Sequence, residues 1–404
     1  MSFQQGLSGL NAASKNLDVI GNNVANSSTI GFKGSEAHFA DVYANSQFGG
    51  GGGGETGIGT SISAVVQTIA QGNLKVTSTP LDVAINGNGF FRLSDAGAVT
   101  YSRNGQFQLD KNGYIVSDDK KNLTGYPATS NGTITTAAPV NLQVSTADLA
   151  PLATSTTTAG VNLDSRKASL LSSNFSLTDA STYQGATSMS VYDSLGNAHT
   201  LSMYFVKTAA NSWDVFSAND GVQVGTGPVG SIGFNTNGSV SSAPTIGLTV
   251  PVTTGAKDMV LTLDLGSSTQ FGSDFGVNQI SQNGYGAGKL SGFVVGGDGL
   301  VMGRYSNGQT RAQGQIALTN FTNPQGLQAL GANQWAESGS SGPPLTSAPG
   351  TGNLGVLQSG ALESSNVDLT AELVDLITAQ RVYQANAQTI KTQDSVLQTL
   401  VNLR

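Results

Sequence analysis

The chain has 404 residues, 11% of them charged, a formal net charge of -7 and no cysteine. Its length and its 38% of hydrophobic residues allow two or three cored domains, but charged residues fall far below the roughly 25% of an ordinary soluble domain, so Ser, Thr, Asn, Gln and Gly must build the surface. The acidic balance argues against nucleic acid or anionic lipid as partner, and the lack of cysteine excludes disulfides, thiolate metal sites and cysteine nucleophiles.

The N-terminal stretch MSFQQGLSGLNAASKNLDVIG has neither a basic n-region nor a continuous apolar core, and no segment elsewhere reads as a membrane span, so no membrane insertion is expected. Composition alone suggests the cytosol, or export uncleaved through a dedicated channel. Phe3, Gly6, Leu10, Ala13, Leu17, Ile20 and Val24 recur at steps of three and four, one seam of a helix. Ser2 with Gln5 fits a capping box at its start. The helix should end in IGNNVANSSTIGFKG, where Gly21, Asn22, Asn23, Asn26, Gly31 and Gly34 far exceed the single Gly or Asn that a stop requires.

Residues 27–80 are rich in Gly and Ser and carry six consecutive glycines, Gly49 to Gly54, which predicts an extended flexible linker. The code then changes to strands. LDVAINGNGFFRLSDAGAVTYSRNGQFQLDKNGYIVSDD carries Asn-Gly at 86, 88, 104 and 112, read as successive hairpins, and further turns are expected at Leu195-Gly196-Asn197 and Asp298-Gly299. Joints rich in Thr, Ala and Ser (145–172) and in turn residues (338–353) divide the rest.

A second seam closes the chain: Leu369, Leu373, Leu376, Gln380, Tyr383, Ala387, Ile390, Asp394, Leu397 and Val401, with Ser365 and Asp368 available to cap its start. The two seams most simply pair with each other. The expected fold is multidomain α+β: a terminal helical coiled coil (1–26 and 363–404), the linker (27–80), a discontinuous mainly-β domain (81–150 and 283–362), and an outer inserted β domain (151–282).

No catalytic, cofactor-binding or metal constellation appears. His38 and His199 are far apart and read as surface residues. GTGPVG, Gly225 to Gly230, fits GxGxxG, but SIGFNTNGSV behind it reads as strand and turn rather than the required helix. The chain therefore does not read as an enzyme; a β-rich surface adhesin suits the composition but leaves the two seams unexplained.

NNVANSSTIGFKGSEAHFADVYA, from Asn22 to Ala44, resembles the signature of the rod, hook and hook-associated axial proteins of the bacterial flagellum, through Asn22, Asn23, Ala25, Asn26, Thr29, Gly31, Phe32 and Lys33. QGNLKVTSTPLDVAINGNGFFRL, LTGYPA and the terminal GALESSNVDLTAELVDLITAQRVYQANAQTIKTQDSVLQTLVNLR are similar to the same family. Length and the insert with VYDSLGNAHTLSMYFVKT match its hook members, distal rod members being shorter. The resemblance implies a homopolymer forming a curved tube that joins rod to filament as a universal joint. It also implies export through the flagellar type III apparatus and contact with a hook cap scaffold, distal rod and hook-filament junction proteins. The polymerisation seam would comprise Leu10, Leu17, Ile20, Val24, Leu369, Leu373, Leu376, Tyr383, Ile390, Leu397 and Val401. Phe32 and Lys33 would anchor against a neighbouring subunit.

Overall fold

A computed structural model describes residues 2–42, 59–241 and 245–402. The Gly49–Gly54 run and the side chains of Ser2 and Val401 lie outside the described residues. The chain divides into two units: unit 1, residues 1–146, 292–304 and 310–404, and unit 2, residues 147–291 and 305–309.

In unit 1 the terminal helices are α1 (Ser2–Ala25) and α2 (Leu369–Asn402), which span roughly 36 and 51 Å at 1.5 Å per residue. They run antiparallel, with Gly6 against Ile390, Gly9 against Asn386 and Asn23 bonded to Glu372. Helix α2 starts later than Ser365: Asp368 is its cap, Oδ1 accepting from Thr370 N at 2.8 Å and Ala371 N at 3.2 Å. Among the described residues no helix is long and apolar enough to cross a membrane.

The stretch expected as an extended linker holds a ribbon instead. Strands β1 (Ser35–Val42) and β2 (Gly59–Gln67) pair antiparallel from Ser35↔Gln67 to Val42↔Gly59, with a bulge between His38 and Phe39. The ribbon reaches α1, where Ser8 Oγ accepts from Thr60 N at 3.3 Å. The abundance of Gly and Ser around it hides the alternation of Ala37, Phe39, Ile62 and Ala64 that makes these segments strands.

The β part of unit 1 interleaves distant pieces of chain. Val83–Asn86 pairs with Val356–Ser359, Leu74–Val76 with Ala361–Glu363, and Asn122–Pro127 with Thr310–Ile316. Of the four Asn-Gly pairs, only Asn112-Gly113 turns a hairpin, between Phe107–Leu109 and Ile115–Ser117. Phe90–Asp95 and Ala98–Ser102 turn at Ala96-Gly97 instead. Gly105 is small for another reason: a Cβ there would sit 1.7 Å from Val83 O. Phe90, Tyr101, Phe321 and Trp335 pack edge to face at the core, with centroids 4.8 to 6.1 Å apart.

Unit 2 is built from two five-stranded sheets, and one core takes side chains from both. Thr156–Asp164 is the hub of the first sheet, and Ala198–Ala209 pairs with Gly185–Tyr192 and Ser212–Asn219 in the second. Trp213 is fully buried between them, its indole donating to Gln270 Oε1 at 2.7 Å. GTGPVG runs directly into the strand Gly230–Gly233.

His38 is exposed, but His199 is not a surface residue. It is 5% exposed, Nδ1 lying 2.6 Å from Asp220 Oδ2 and Nε2 3.3 Å from Asp193 Oδ2, which also accepts from Thr254 Oγ1 at 2.6 Å. Burial works against the charged ring, but the two carboxylates outweigh it and hold His199 above its ordinary value. A raised folded pKa gives stability that is complete below about 6.5 and is lost as pH rises through the folded value. The melting temperature of unit 2, read from Trp213 fluorescence in a Trp335→Phe chain, is therefore expected to fall as pH rises above about 6.5. His199→Gln should flatten that slope; an unchanged slope would remove His199 as its source.

Candidate assembly interface

The Asn-rich break after α1 is a weld rather than a surplus of stops. Asn26 Nδ2 donates back to Asn22 O and Oδ1 at 3.0 and 2.8 Å, and Thr29 Oγ1 donates to Asn26 Oδ1 at 3.3 Å. Asn23, buried, accepts from Ser35 N and donates to Ser35 O and Glu372 Oε1, all at 2.9 Å, so one amide ties α1 to β1 and to α2. Ala25 is the exposed last residue of the helix. Gly31 donates to Glu363 O at 2.8 Å with φ +69, and a Cβ there would meet Asn104 N at 2.6 Å, so only glycine fits. Asn366 holds Gly34 N and Thr68 O at 2.8 and 2.7 Å, closing the junction from the C-terminal side.

Phe32 is half-buried, and Lys33 is not available to a neighbouring subunit: its side chain is 0% exposed. The ammonium donates to Ala70 O at 2.7 Å and Glu363 Oε1 at 2.6 Å. Glu363 also accepts from Arg103 Nη1 at 3.1 Å and Gly72 N at 2.9 Å. Arg103 donates onward to Gly87 O at 2.9 Å and lies 5.4 Å over the Phe90 ring. Burial pushes Lys33 below its ordinary range and Arg103 adds to the push, while Glu363 opposes both. Arg103 is lowered by burial against the same Glu363. One carboxylate thus compensates two buried cations, which makes it the keystone between the α1 junction, the strand Ala361–Glu363 and the residues before α2. Sequence patterning singles out Lys33 and misses Glu363 and Arg103; the signal for Glu363 is a lone acid in an otherwise uncharged GALESSN.

The helix pair separates two kinds of side chain. On α1, Gly6, Ala13 and Ile20 are buried and Leu10, Leu17 and Val24 along the same face are half-buried. On α2, Ala379 is buried and Leu376, Asn386 and Ile390 are half-buried. The contact is close because it is made by small residues: a Cβ on Gly9 would fall 2.9 Å from Asn386 Oδ1, and one on Gly6 3.2 Å from Ile390 Cγ1. Ile390 thus meets α1, but most of the larger seam residues stay exposed. Leu369, Leu373, Tyr383 and Leu397 are exposed, as are Val374, Ile377, Val382 and Val396, with Val374 58% and Leu397 54% accessible. Phe3 and Leu7 on α1 are also exposed. So large a set on one helix pair is unlike an ordinary monomer surface and marks an interaction site.

Four families match the chain in order: flagella basal body rod protein over residues 3–33, flagellar hook protein FlgE/F/G D1 domain over 84–159, flagellar basal body protein FlaE D2 domain over 162–285, and flagellar basal body rod FlgEFG protein C-terminal over 358–403. The flagellar hook protein FlgE of Salmonella typhimurium is 45% identical over 415 residues, with 100% of each chain covered. That of Borreliella burgdorferi is 31% identical, covering 100% of this chain and 99% of its own. The crystal structure of Helicobacter pylori flagellar hook protein FlgE2 shares the fold at TM-score 0.55 and 14% identity, covering 72% of this chain and 100% of that one.

Proposed function

The chain belongs to the flagellar hook protein family as a structural subunit of the bacterial flagellar hook, and we propose that its copies polymerise through the outward faces of α1 and α2. The observation that carries this is the set of large apolar side chains that α2 leaves exposed, Leu369, Leu373 and Ile377 among them on one face. Each Leu-sized side chain buried against a neighbour contributes about 1.5–3 kcal/mol. Three or four per neighbour offset much of the roughly 4–15 kcal/mol that association costs. The weld around Glu363 supports the same reading, since it joins the helix pair firmly to the β part of unit 1.

Flexing under rotation follows from the surface. The exposed ion pairs include Lys15 with Asp18 and Arg166 with Asp274, and with so few charges in the chain, neighbouring polar surfaces can exchange partners at little cost. Export uncleaved through the type III apparatus, and contacts with the hook cap scaffold, the distal rod and the hook-filament junction proteins, belong to this proposal, as does the absence of catalysis. An adhesin does not account for the outward leucines. Electron microscopy of the purified chain at high concentration is expected to show hollow curved tubes; a chain that stays monomeric would contradict self-assembly.

A further inference from the structure

Between α1, α2 and β1 lies a groove of 660 Å³ whose apolar lining includes Ala12, Val19, Phe39 and Val382. It also presents three carboxylates, Glu36, Glu372 and Asp375, and no lysine or arginine among its lining residues. They repel one another: Glu372 is raised by burial, and Asp375 and Glu36 raise it further against the Asn23 hydrogen bond. On the far side of α2, Leu373, Ile377 and Arg381 follow one another at steps of four and are all exposed. Arg381 has no ion pair among the described residues.

We propose that the groove of one copy receives the Leu373–Ile377–Arg381 ridge of the next, the two leading side chains entering the apolar lining and the guanidinium meeting Asp375 and Glu36. At 100° per residue, Leu373 and Ile377 point roughly opposite to Asp375, Val382 and Asn386, which face the groove. Ridge and groove therefore cannot satisfy each other within one copy. A contact between different patches on opposite faces is head-to-tail, and when its rotation does not close it generates an open helical assembly. The inference rests on the hook-subunit reading and adds the polarity and the charge pairing of one of its contacts.

Because the chain has no cysteine, Ala12→Cys and Ile377→Cys can be placed in separate copies and mixed. Oxidised tubes should yield disulfide-linked dimers, and the same mixture held as monomers should not. Arg381→Glu should raise the critical concentration for assembly about tenfold or more, and adding Asp375→Arg should recover most of that loss. Well-formed tubes without the cross-link, or Arg381→Glu chains that assemble like the wild type, would overturn the groove contact and leave the hook reading standing. Failure of the unmodified chain to assemble would overturn both.

Discussion

Glu363→Ala is expected to destabilise unit 1 by about 3–5 kcal/mol, the cost of removing one partner from a buried ion pair. The carboxylate has no exposed surface, and its loss leaves the Lys33 ammonium with only Ala70 O and the Arg103 guanidinium with Gly87 O and the face of Phe90. It also orphans Gly72 N. Water cannot easily compensate, because the Lys33 side chain is 0% and the Arg103 side chain 3% exposed. Glu363→Gln keeps the shape and an acceptor oxygen but not the charge, so a smaller loss is expected from it. Urea unfolding of the full chain measures both, and a loss below about 1 kcal/mol for Glu363→Ala would mean that the two cations find compensation elsewhere. Since the cluster joins the α1 junction to the strand before α2, assembly should fail with it, as a consequence of folding rather than of contact.

The second large effect separates contact from folding. Leu373→Asp combined with Ile377→Asp should leave a folded, soluble chain that does not form tubes. Both side chains are already about half exposed, at 45% and 51%, so the folded state loses little; surface changes of this kind usually stay within about 0.5 kcal/mol. Withholding the exposed halves of two Leu-sized groups from each contact costs about 1.5–3 kcal/mol, which at 1.4 kcal/mol per factor of ten raises the critical concentration by about tenfold to a hundredfold. Circular dichroism should report an unchanged helix pair while sedimentation reports monomer. Tubes at the wild-type concentration would return the assembly energy to other surfaces.

Much of this architecture is legible in the residues. Steps of three and four mark α1 and α2, and the change to turn-punctuated apolar runs marks the β parts. What periodicity alone misreads is which face meets which partner. The heptad line Leu369, Leu376, Tyr383, Ile390 and Leu397 reads as the contact with α1. In the structure Gly6 meets Ile390 of that line, but Gly9 meets Asn386, and Leu369, Tyr383 and Leu397 of the line are left exposed. The ribbon β1–β2 is masked by the Gly and Ser around it. Lys33 and His199 are misread for a common reason: a polar residue reads as surface until its partners are known, and Glu363, Asp193 and Asp220 are remote in the first case and hidden in turns and strand ends in the second. Gly31 and Gly105 read as turn signals, yet they are glycines because another stretch of backbone passes within contact distance.

The central claim is that α2 carries an apolar face reserved for neighbouring copies, and side-chain footprinting by hydroxyl radicals tests it most directly, comparing monomers with assembled tubes of the unmodified chain. Strong protection is expected on assembly at Leu369, Leu373 and Ile377, which share one face of α2 and are all exposed in the single chain, with no change at Trp213, already fully buried in unit 2. If those α2 side chains react in tubes as fast as in monomers, the outward face of α2 is not the surface that holds the polymer together.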